Sequence, residues 1–333
     1  MNDSLANVVE RFRGKSIVVV GDLVADQFLS GTISRVSREA PVFILRHDNT
    51  DTFAGGAANA AVNIASLGGN PILIGVVGDD ANGELLRKAL IDSGVDCSSV
   101  ETINSFRTTT KVRVLAGQHY APKQQVIRID YENQNDAANE VADKLVATLE
   151  KVSETANAII VSDYNYGVVT PKLFEVAREI SKRRGISLVV DSRFRLGEFT
   201  EAASATPNQD EVEQILGKGF TENDCIGLLE TLGHESLLVT RGNKGMLLFK
   251  KGNATVAIEP VGSLEPVDVT GAGDTVIAAY ALGLASGLGF AKAAMIANHA
   301  GGIVVMKKGT ASVSVSELER SLAGIASVSA RSS

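Results

Sequence analysis

Short runs of consecutive apolar residues alternate with longer amphipathic stretches along most of this chain. Ile17-Val18-Val19-Val20, Ile72-Leu73-Ile74-Gly75-Val76-Val77, Ala158-Ile159-Ile160-Val161, Leu188-Val189-Val190 and Leu237-Leu238-Val239 are too short for helices and show no polar face. They predict strands buried on both sides. Residues 56–67, 83–91, 171–184 and 210–216 predict helices between or beside them. Buried strands alternating with helices predict an α/β fold, a mainly parallel central sheet flanked by helices. Ligands in such sheets bind beyond the carboxyl ends of the strands. Here those ends read Gly21-Asp22, Ser162-Asp163, Asp191-Ser192 and Thr240-Arg241, polar or charged throughout, which suits one shared cleft.

Two stretches break the alternation. Val42-Phe43-Ile44-Leu45-Arg46 is strand-like and leads to Gly55-Gly56. Lys111-Val112-Arg113-Val114 and Val126-Ile127-Arg128-Ile129 have the period of two expected of half-exposed strands. They flank a polar loop at 117–124. Either they form a small sheet outside the main layer, acting as a lid, or they are an edge hairpin. No internal repeat, low-complexity linker or domain boundary is visible, and the Ser-rich tail 327–333 is expected to fray.

Composition narrows the function. With 32 basic and 39 acidic residues in 333, the net charge is −7, which argues against a nucleic-acid surface. The densest basic cluster, Lys182-Arg183-Arg184, falls at a helix end, where cations suit the dipole. Cys97 and Cys225 lack metal-ligand spacing, and the first residues lack a signal-peptide pattern. No apolar run approaches the ~20 residues needed to span a bilayer. A reduced, cytoplasmic setting without membrane contact is therefore expected.

The most informative stretch is Asp268-Val-Thr-Gly-Ala-Gly-Asp-Thr-Val276. Glycines in a turn let backbone approach a ligand, and the free amides that open a helix attract anions, phosphate above all. A carboxylate at such a place would repel phosphate. Asp274 makes sense as a base that takes a proton from a hydroxyl attacking phosphorus; the plain alternative is a helix cap. Gly55-Gly56-Ala57-Ala58-Asn59 is a second glycine turn opening a helix, read either as close packing or as backbone and amide offered to a polyol. Asn208 and Glu211 either cap a helix or face the hydration shell of Mg²⁺. Thr240-Arg-Gly242-Asn-Lys-Gly245 is either a plain turn or a loop giving hydroxyl and amides to phosphates. Gly14-Lys15-Ser16 lacks the earlier glycine of a P-loop, and Gly271-Ala272-Gly273 lacks the third glycine of a dinucleotide fingerprint. No His-x-Gly-His occurs, so no adenylyltransferase motif is present. His47, His119, His234 and His299 stand alone.

In this order, Gly-Gly-x-x-Asn, Asn-x-x-Glu, Thr-x-Gly-x-x-Gly and Asp-x-Thr-Gly-Ala-Gly-Asp resemble the ribokinase-like (PfkB) family of carbohydrate kinases across nearly the whole chain. The resemblance implies one ribokinase-like kinase domain over 1–333, with a small β lid from segments 23–54 and 104–132. It implies ATP–Mg²⁺-dependent phosphorylation of a sugar hydroxyl. Asp274 would be the base, and amides of Gly271, Ala272 and Gly273 the anion hole. Asn208 and Glu211 would organise Mg²⁺ through water. Thr240, Gly242, Gly245 and Asn298 would line the nucleotide. Asp22, Gly55, Gly56 and Asn59 would hold the sugar, and a monovalent cation such as K⁺ would sit near Asp268 and Thr270.

A narrower resemblance lies in Gly21-Asp-Leu-Val-Ala-Asp26, Ser34-Arg-Val-Ser-Arg-Glu-Ala-Pro-Val42, Asn63-Ile-Ala-Ser-Leu-Gly68, Thr110-Lys-Val-Arg-Val114, Arg128-Ile-Asp130 and Ser162-Asp-Tyr164. These are similar to the D-glycero-β-D-manno-heptose-7-phosphate kinase domain of ADP-heptose synthesis. They extend the implied substrate set to Asp26, Arg35, Lys111, Arg113 and Asp163. Arg35, Arg38, Lys111, Arg113 and Arg128 in the lid would meet a phosphorylated substrate. A separate adenylyltransferase would then act next in the pathway. Tyr166, where the family commonly has Lys, and Ser192-Arg193, where Pro-Lys is frequent, put the sugar in question more than the chemistry. Residues 117–123 read as a lid insertion. Exposed lid edges favour a homodimer through the lid strands. Two rival readings stand beside the heptose reading: a kinase of the same family acting on another sugar or sugar phosphate, and a non-catalytic sugar- or nucleotide-binding regulator on the same fold.

Overall fold

The computed structural model describes residues 8–329 except 119, 121, 134–137 and 264. Strand β1 (Ser16–Gly21) is followed after Asp22 alone by β2 (Leu23–Val36), which turns back as β3 (Phe43–Gly56) directly into α1 (Ala57–Ser66). Next come β4 (Asn70–Gly78), α2 (Ala81–Asp92), β5 (Val100–Ile103), β6 (Thr110–Gly117) and β7 (Gln124–Tyr131). The middle of the chain gives α3 (Ala142–Val152), β8 (Ala158–Asp163), α4 (Pro171–Arg184), β9 (Ser187–Ser192), β10 (Ser204–Ala205), α5 (Gln209–Leu216) and α6 (Glu222–Leu232). It closes with β11 (Ser236–Thr240), β12 (Met246–Lys250), β13 (Val256–Ile258), α7 (Ala272–Ala285), α8 (Phe290–Val304) and α9 (Val315–Ser329).

The main sheet has the order β13-β12-β11-β10-β9-β8-β1-β4-β5. It is parallel from β11 to β5, with β12 and β13 antiparallel at one edge. Alternation along β1 shows how both faces fill. Ile17 and Val19 join a core with α1, α2, α7, α8 and α9, while Val18 and Val20 join one with α3 to α6. Each buried Val, Ile or Leu contributes roughly 1.5–3 kcal/mol, so the two cores dominate stability. Helix ends follow local chemistry. At α4 the Thr170 hydroxyl accepts from Leu173 N–H at 3.2 Å, Pro171 occupies the first turn, and Gly185 closes the helix at φ 64°. Helix α7 is apolar all round and buried from Asp274 to Gly283, as its small residues allow.

The small sheet anticipated outside the main layer is four-stranded, in the order β3-β2-β6-β7. Its β2–β3 and β6–β7 pairs are antiparallel and its β2–β6 pair is parallel. It is therefore more than an edge hairpin. Because β2 leaves and β3 returns at the carboxyl end of β1, the small sheet stands beside the cleft where parallel sheets bind ligands. Of the loop 117–123, residues 119 and 121 lie outside the described residues. So do 330–333 of the tail expected to fray, while 327–329 continue α9. Among the described residues, no helix is long and apolar enough to cross a membrane.

Candidate active site

Helix α7 opens at Gly271, whose φ of 76° is the left-handed region that glycine tolerates. Among the described residues, the N–H groups of Gly271, Gly273 and Asp274 meet no protein acceptor, so three amides stand ready for an anion. Ala272, expected in that set, differs: its N–H donates to the Val269 carbonyl at 3.2 Å. Asp268 shapes the approach by accepting from Thr270 N–H and Gly309 N–H, at 2.9 and 3.0 Å.

Asp274 is only 3% exposed. Asn59 Nδ2 donates to its Oδ2 at 2.8 Å and Tyr164 hydroxyl to its Oδ1 at 2.9 Å. Burial pushes the carboxyl up to about 7, against the pull of those two donors; Asp26 raises it further and Lys111 lowers it. Such a group exchanges a proton near neutrality, as a general base should. Asn59 cannot turn its amide round, because Asn63 Nδ2 donates to Asn59 Oδ1 at 3.1 Å and Thr275 hydroxyl donates to Asn63 Oδ1 at 3.1 Å. The spacing of four between Asn59 and Asn63 on a helix face is a signal for this relay that sequence reading passed over.

The residues expected to hold a sugar separate into groups. Asp22 is buried behind the site: its carboxylate accepts from the N–H groups of Tyr164, Tyr166 and Val168, at 2.8, 3.1 and 3.1 Å. Burial raises it to about 6. Its role here is to hold the 164–168 loop that delivers Tyr164 to Asp274. Asp163 likewise turns into the scaffold, accepting from Ser192 hydroxyl at 2.7 Å, and burial raises its pKa. Asp26 forms an ion pair with Arg113 and accepts from Thr310 hydroxyl at 3.2 Å. Gly55 and Gly56 permit the crossing of β2 and β3: a side chain on Gly55 would meet Asp26 Oδ2 at 2.6 Å, and one on Gly56 the Asp22 carbonyl at 2.7 Å. Lys111 lies near Asp274, its ammonium 5.4 Å from the Tyr164 ring centre. Arg35 is not part of this cluster. It is exposed nine residues along β2 from Asp26, about 30 Å away at strand rise.

The nucleotide expectations converge. Thr240, Gly242, Gly245 and Asn298 line one cleft of about 150 Å³ that runs to Ala272 and Gly273. Its walls are largely apolar (Val261, Val269, Val276 and Val305), and Asn298 donates to the Glu259 carbonyl at 2.7 Å, which leaves its own oxygen available. An apolar slot ending at helix-opening amides fits a purine nucleoside at one end and its phosphates at the other.

Asn208 and Glu211 are a reciprocal cap of α5. Glu211 N–H donates to Asn208 Oδ1 at 2.9 Å and Asn208 N–H to Glu211 Oε2 at 2.8 Å. The cap engages the one side-chain oxygen of Asn208 and leaves Glu211 Oε1 free among the described residues. Asp191, unassigned from sequence, stands by the pair: burial raises its pKa, and the facing Glu211 and Asp274 carboxylates add to that. Register across β8, β9 and β10 puts Ser162 and Thr206 on either side of Asp191. Both hydroxyls are buried without a hydrogen-bond partner among the described residues. Among the described residues no group of three or more ligand side chains could hold a metal ion directly, so a divalent cation such as Mg²⁺ would be met here through its waters, by Asp191 and Glu211.

Residues 15–317 match the pfkB family carbohydrate kinase profile. Bifunctional protein HldE of Citrifermentans bemidjiense is 39% identical over 315 residues, 93% of this chain and 63% of that protein. The HldE of Pasteurella multocida is 36% identical over 320 residues, 94% of this chain and 64% of that protein. The chain thus spans a little under two thirds of the length of these relatives. Two solved structures share its fold. Arabidopsis thaliana ribokinase complexed with ribose and ATP has a TM-score of 0.68 at 21% identity, covering 94% of this chain and 98% of its own. Escherichia coli phosphofructokinase-2 in complex with substrates and products scores 0.74 at 19% identity, covering 94% and 99%. With its fold and this profile match in agreement, the chain belongs to the pfkB family of carbohydrate kinases.

Proposed function

We propose that the chain transfers the γ-phosphoryl group of ATP to a hydroxyl of a phosphorylated sugar, namely the anomeric oxygen of D-glycero-D-manno-heptose 7-phosphate. The observation that carries the transfer is Asp274, a buried carboxyl held near pKa 7 among free helix-opening amides. The acceptor rests on the resemblance of residues 21–26, 34–42 and 110–114 and on the HldE relatives. The acceptor hydroxyl gives its proton to Asp274 as its oxygen bonds to the γ-phosphorus, and the bond to the leaving ADP oxygen breaks. Amides of Gly271, Gly273 and Asp274 face the charge on the moving group. Mg²⁺, when bound near Asn208, Glu211 and Asp191, neutralises phosphate charge. A monovalent cation near Asp268 and Thr270 belongs to the same proposal.

Purified protein with ATP, Mg²⁺ and a panel of sugars and sugar phosphates tests it, with heptose 7-phosphate expected as the best acceptor. Chelating the divalent metal should lower turnover at least ~10²-fold, restored by Mg²⁺. An unaffected rate would remove the Asn208–Glu211 assignment. Tyr166 and Ser192-Arg193 favour keeping other sugar phosphates in the panel. Binding of sugar and nucleotide with no transfer to any acceptor would favour the regulator reading instead.

Tyr164→Phe removes a donor that stabilises ionised Asp274. The acid limb of the kcat–pH profile should therefore move up by about half to one pH unit, the scale of one hydrogen bond. A limb that stays in place would show that the base does not feel Tyr164.

The proposal includes a homodimer through the lid, where Val36, Val42 and Phe43 are exposed. Sedimentation velocity measures it directly. The 333 residues supply phosphoryl transfer. The proposal leaves the adenylyl transfer that would follow to a nucleotidyltransferase unit, on its own chain or joined to this one as the name of the bifunctional HldE relatives indicates for them, and puts the setting in the cytoplasm.

A further inference from the structure

We propose that Lys111, Arg128 and Arg193 form a second anion site beside Asp274, a clamp for the phosphate that the acceptor already carries. The inference rests on the kinase reading above and adds which cations select a phosphorylated acceptor. All three line one cleft of about 280 Å³, together with Tyr164, Tyr166 and Asn133.

Lys111 is the centre of the case. It is 8% exposed, and among the described residues its ammonium makes no hydrogen bond or ion pair. Its ammonium rests over the rings of Tyr164 and Tyr166, 5.4 and 5.6 Å from their centres. A buried ammonium without an anion is costly. Burial depresses its pKa, and nearby Arg193 and Arg128 lower it again, while Asp26 and Asp130 oppose them. Like charges converging on one cleft are stabilised when an anion sits between them.

The cleft also contains carboxylates, and their bonds decide its net character. Asp130 takes the Arg128 guanidinium through two hydrogen bonds of 2.9 Å, and Glu132 accepts from the Tyr166 hydroxyl at 2.9 Å. Arg193 is exposed after β9 and has no ion pair among the described residues. Lys111 and Arg193 are thus left without a direct ion pair among the described residues, although Asp26 and Asp130 lie near Lys111 and Asp191 and Glu211 near Arg193, and with Arg128 at the rim they match one phosphate dianion. Of the other lid cations named above, Arg113 is paired with Asp26, Arg35 is far along β2 and Arg38 lies exposed beyond its end. Lys111 and Arg128 belong to the small sheet and Arg193 to the main body. A phosphate held by all three ties the lid to the body over Asp274.

The test compares Arg193→Gln and Arg128→Gln with wild type, using heptose 7-phosphate and the same heptose without phosphate. Fructose 6-phosphate and fructose serve as a second pair. Arg193→Gln should lower kcat/KM for the phosphorylated member about 10- to 100-fold, mainly through KM, the range of a charge-assisted bidentate contact. It should leave the unphosphorylated member and the KM for ATP within about twofold. Arg128→Gln should show the same pattern with a smaller loss. Equal losses on both members of a pair, no loss, or a raised KM for ATP overturns the clamp. If only fructose 6-phosphate is turned over, the heptose reading fails and the clamp is still read from that pair. If wild type uses sugars as well as their phosphates, the clamp fails and the kinase stands. Calorimetric titration of the same pairs without ATP reads the clamp should no transfer occur: the ester should bind at least about tenfold tighter than the sugar, and Arg193→Gln should erase the difference.

Discussion

Asp274→Asn should leave a folded protein whose turnover is lower by at least ~10²-fold, the usual scale for losing a general base. Steady-state assay with the best acceptor reads this, and a rate near wild type would refute the assigned mechanism. The same substitution has a second consequence. Folded Asp274 has a pKa near 7, above the ordinary 3.8, because burial disfavours its charged form. Its contribution to stability is therefore fully present below about pH 4 and is lost as pH rises through 7. At about 1.4 kcal/mol per pH unit the full loss is roughly 4 kcal/mol, of which about 1.5 has accrued by pH 5. Asn carries no such cost. In urea unfolding, the stability of Asp274→Asn relative to wild type should rise by about 3 kcal/mol between pH 5 and pH 8. An unchanging difference across that range would mean that Asp274 is not a buried, neutral-pH carboxyl. Activity lost and alkaline stability gained together would mark a group kept for chemistry at the expense of the fold.

How much of this was legible beforehand differs by residue. β1 could be read because Ile17 to Val20 are apolar on both faces, which only a doubly covered strand explains. The N-terminus of α7 could be read because glycines, amides and a carboxylate are contiguous. The 14-residue β2 was not recognised as a strand. Its outer half carries Ser30, Gly31 and Arg35, and its register with β3 shifts at Ser30/Gly31 and again at Ile33/Arg35, which breaks the period of two. Asp22, polar at a strand end, was implied as a sugar ligand by the family resemblance. Only the fold shows three loop amides converging on it. Tyr164 stood in the motif quoted for the narrower resemblance, but its bond to Asp274 joins residues 110 apart. Arg193 was noted only as a departure, although it shares a cleft with Lys111. Contacts across strands are set by packing, which a single sequence does not report.

Gly271→Ala and Gly273→Ala should fail in opposite ways. At Gly271 a methyl group would come within 2.5 Å of Asn59 Nδ2, and φ is 76°. Left-handed backbone costs a non-glycine residue about 1–2 kcal/mol. The clash falls on the amide that donates to Asp274, and Asn63 prevents that amide from retreating. Stability should fall by that amount, and turnover should fall ~10²-fold as the base is displaced. At Gly273 a methyl group meets no protein atom within 4 Å, and the residue lies in the first turn of α7. Thermal stability should hold or rise slightly, since Ala favours helix over Gly by up to ~1 kcal/mol. The methyl would instead enter the cleft that ends at this turn, where the transferred group has to sit. Activity should therefore fall without any loss of fold, and denaturation and kinetics measured on both variants separate the two cases. If Gly273→Ala keeps full activity, the opening of α7 is not the phosphoryl site, and Asp274 would need another acceptor geometry. If it is stable but inactive, the free amides above Asp274 hold the group whose transfer that base initiates.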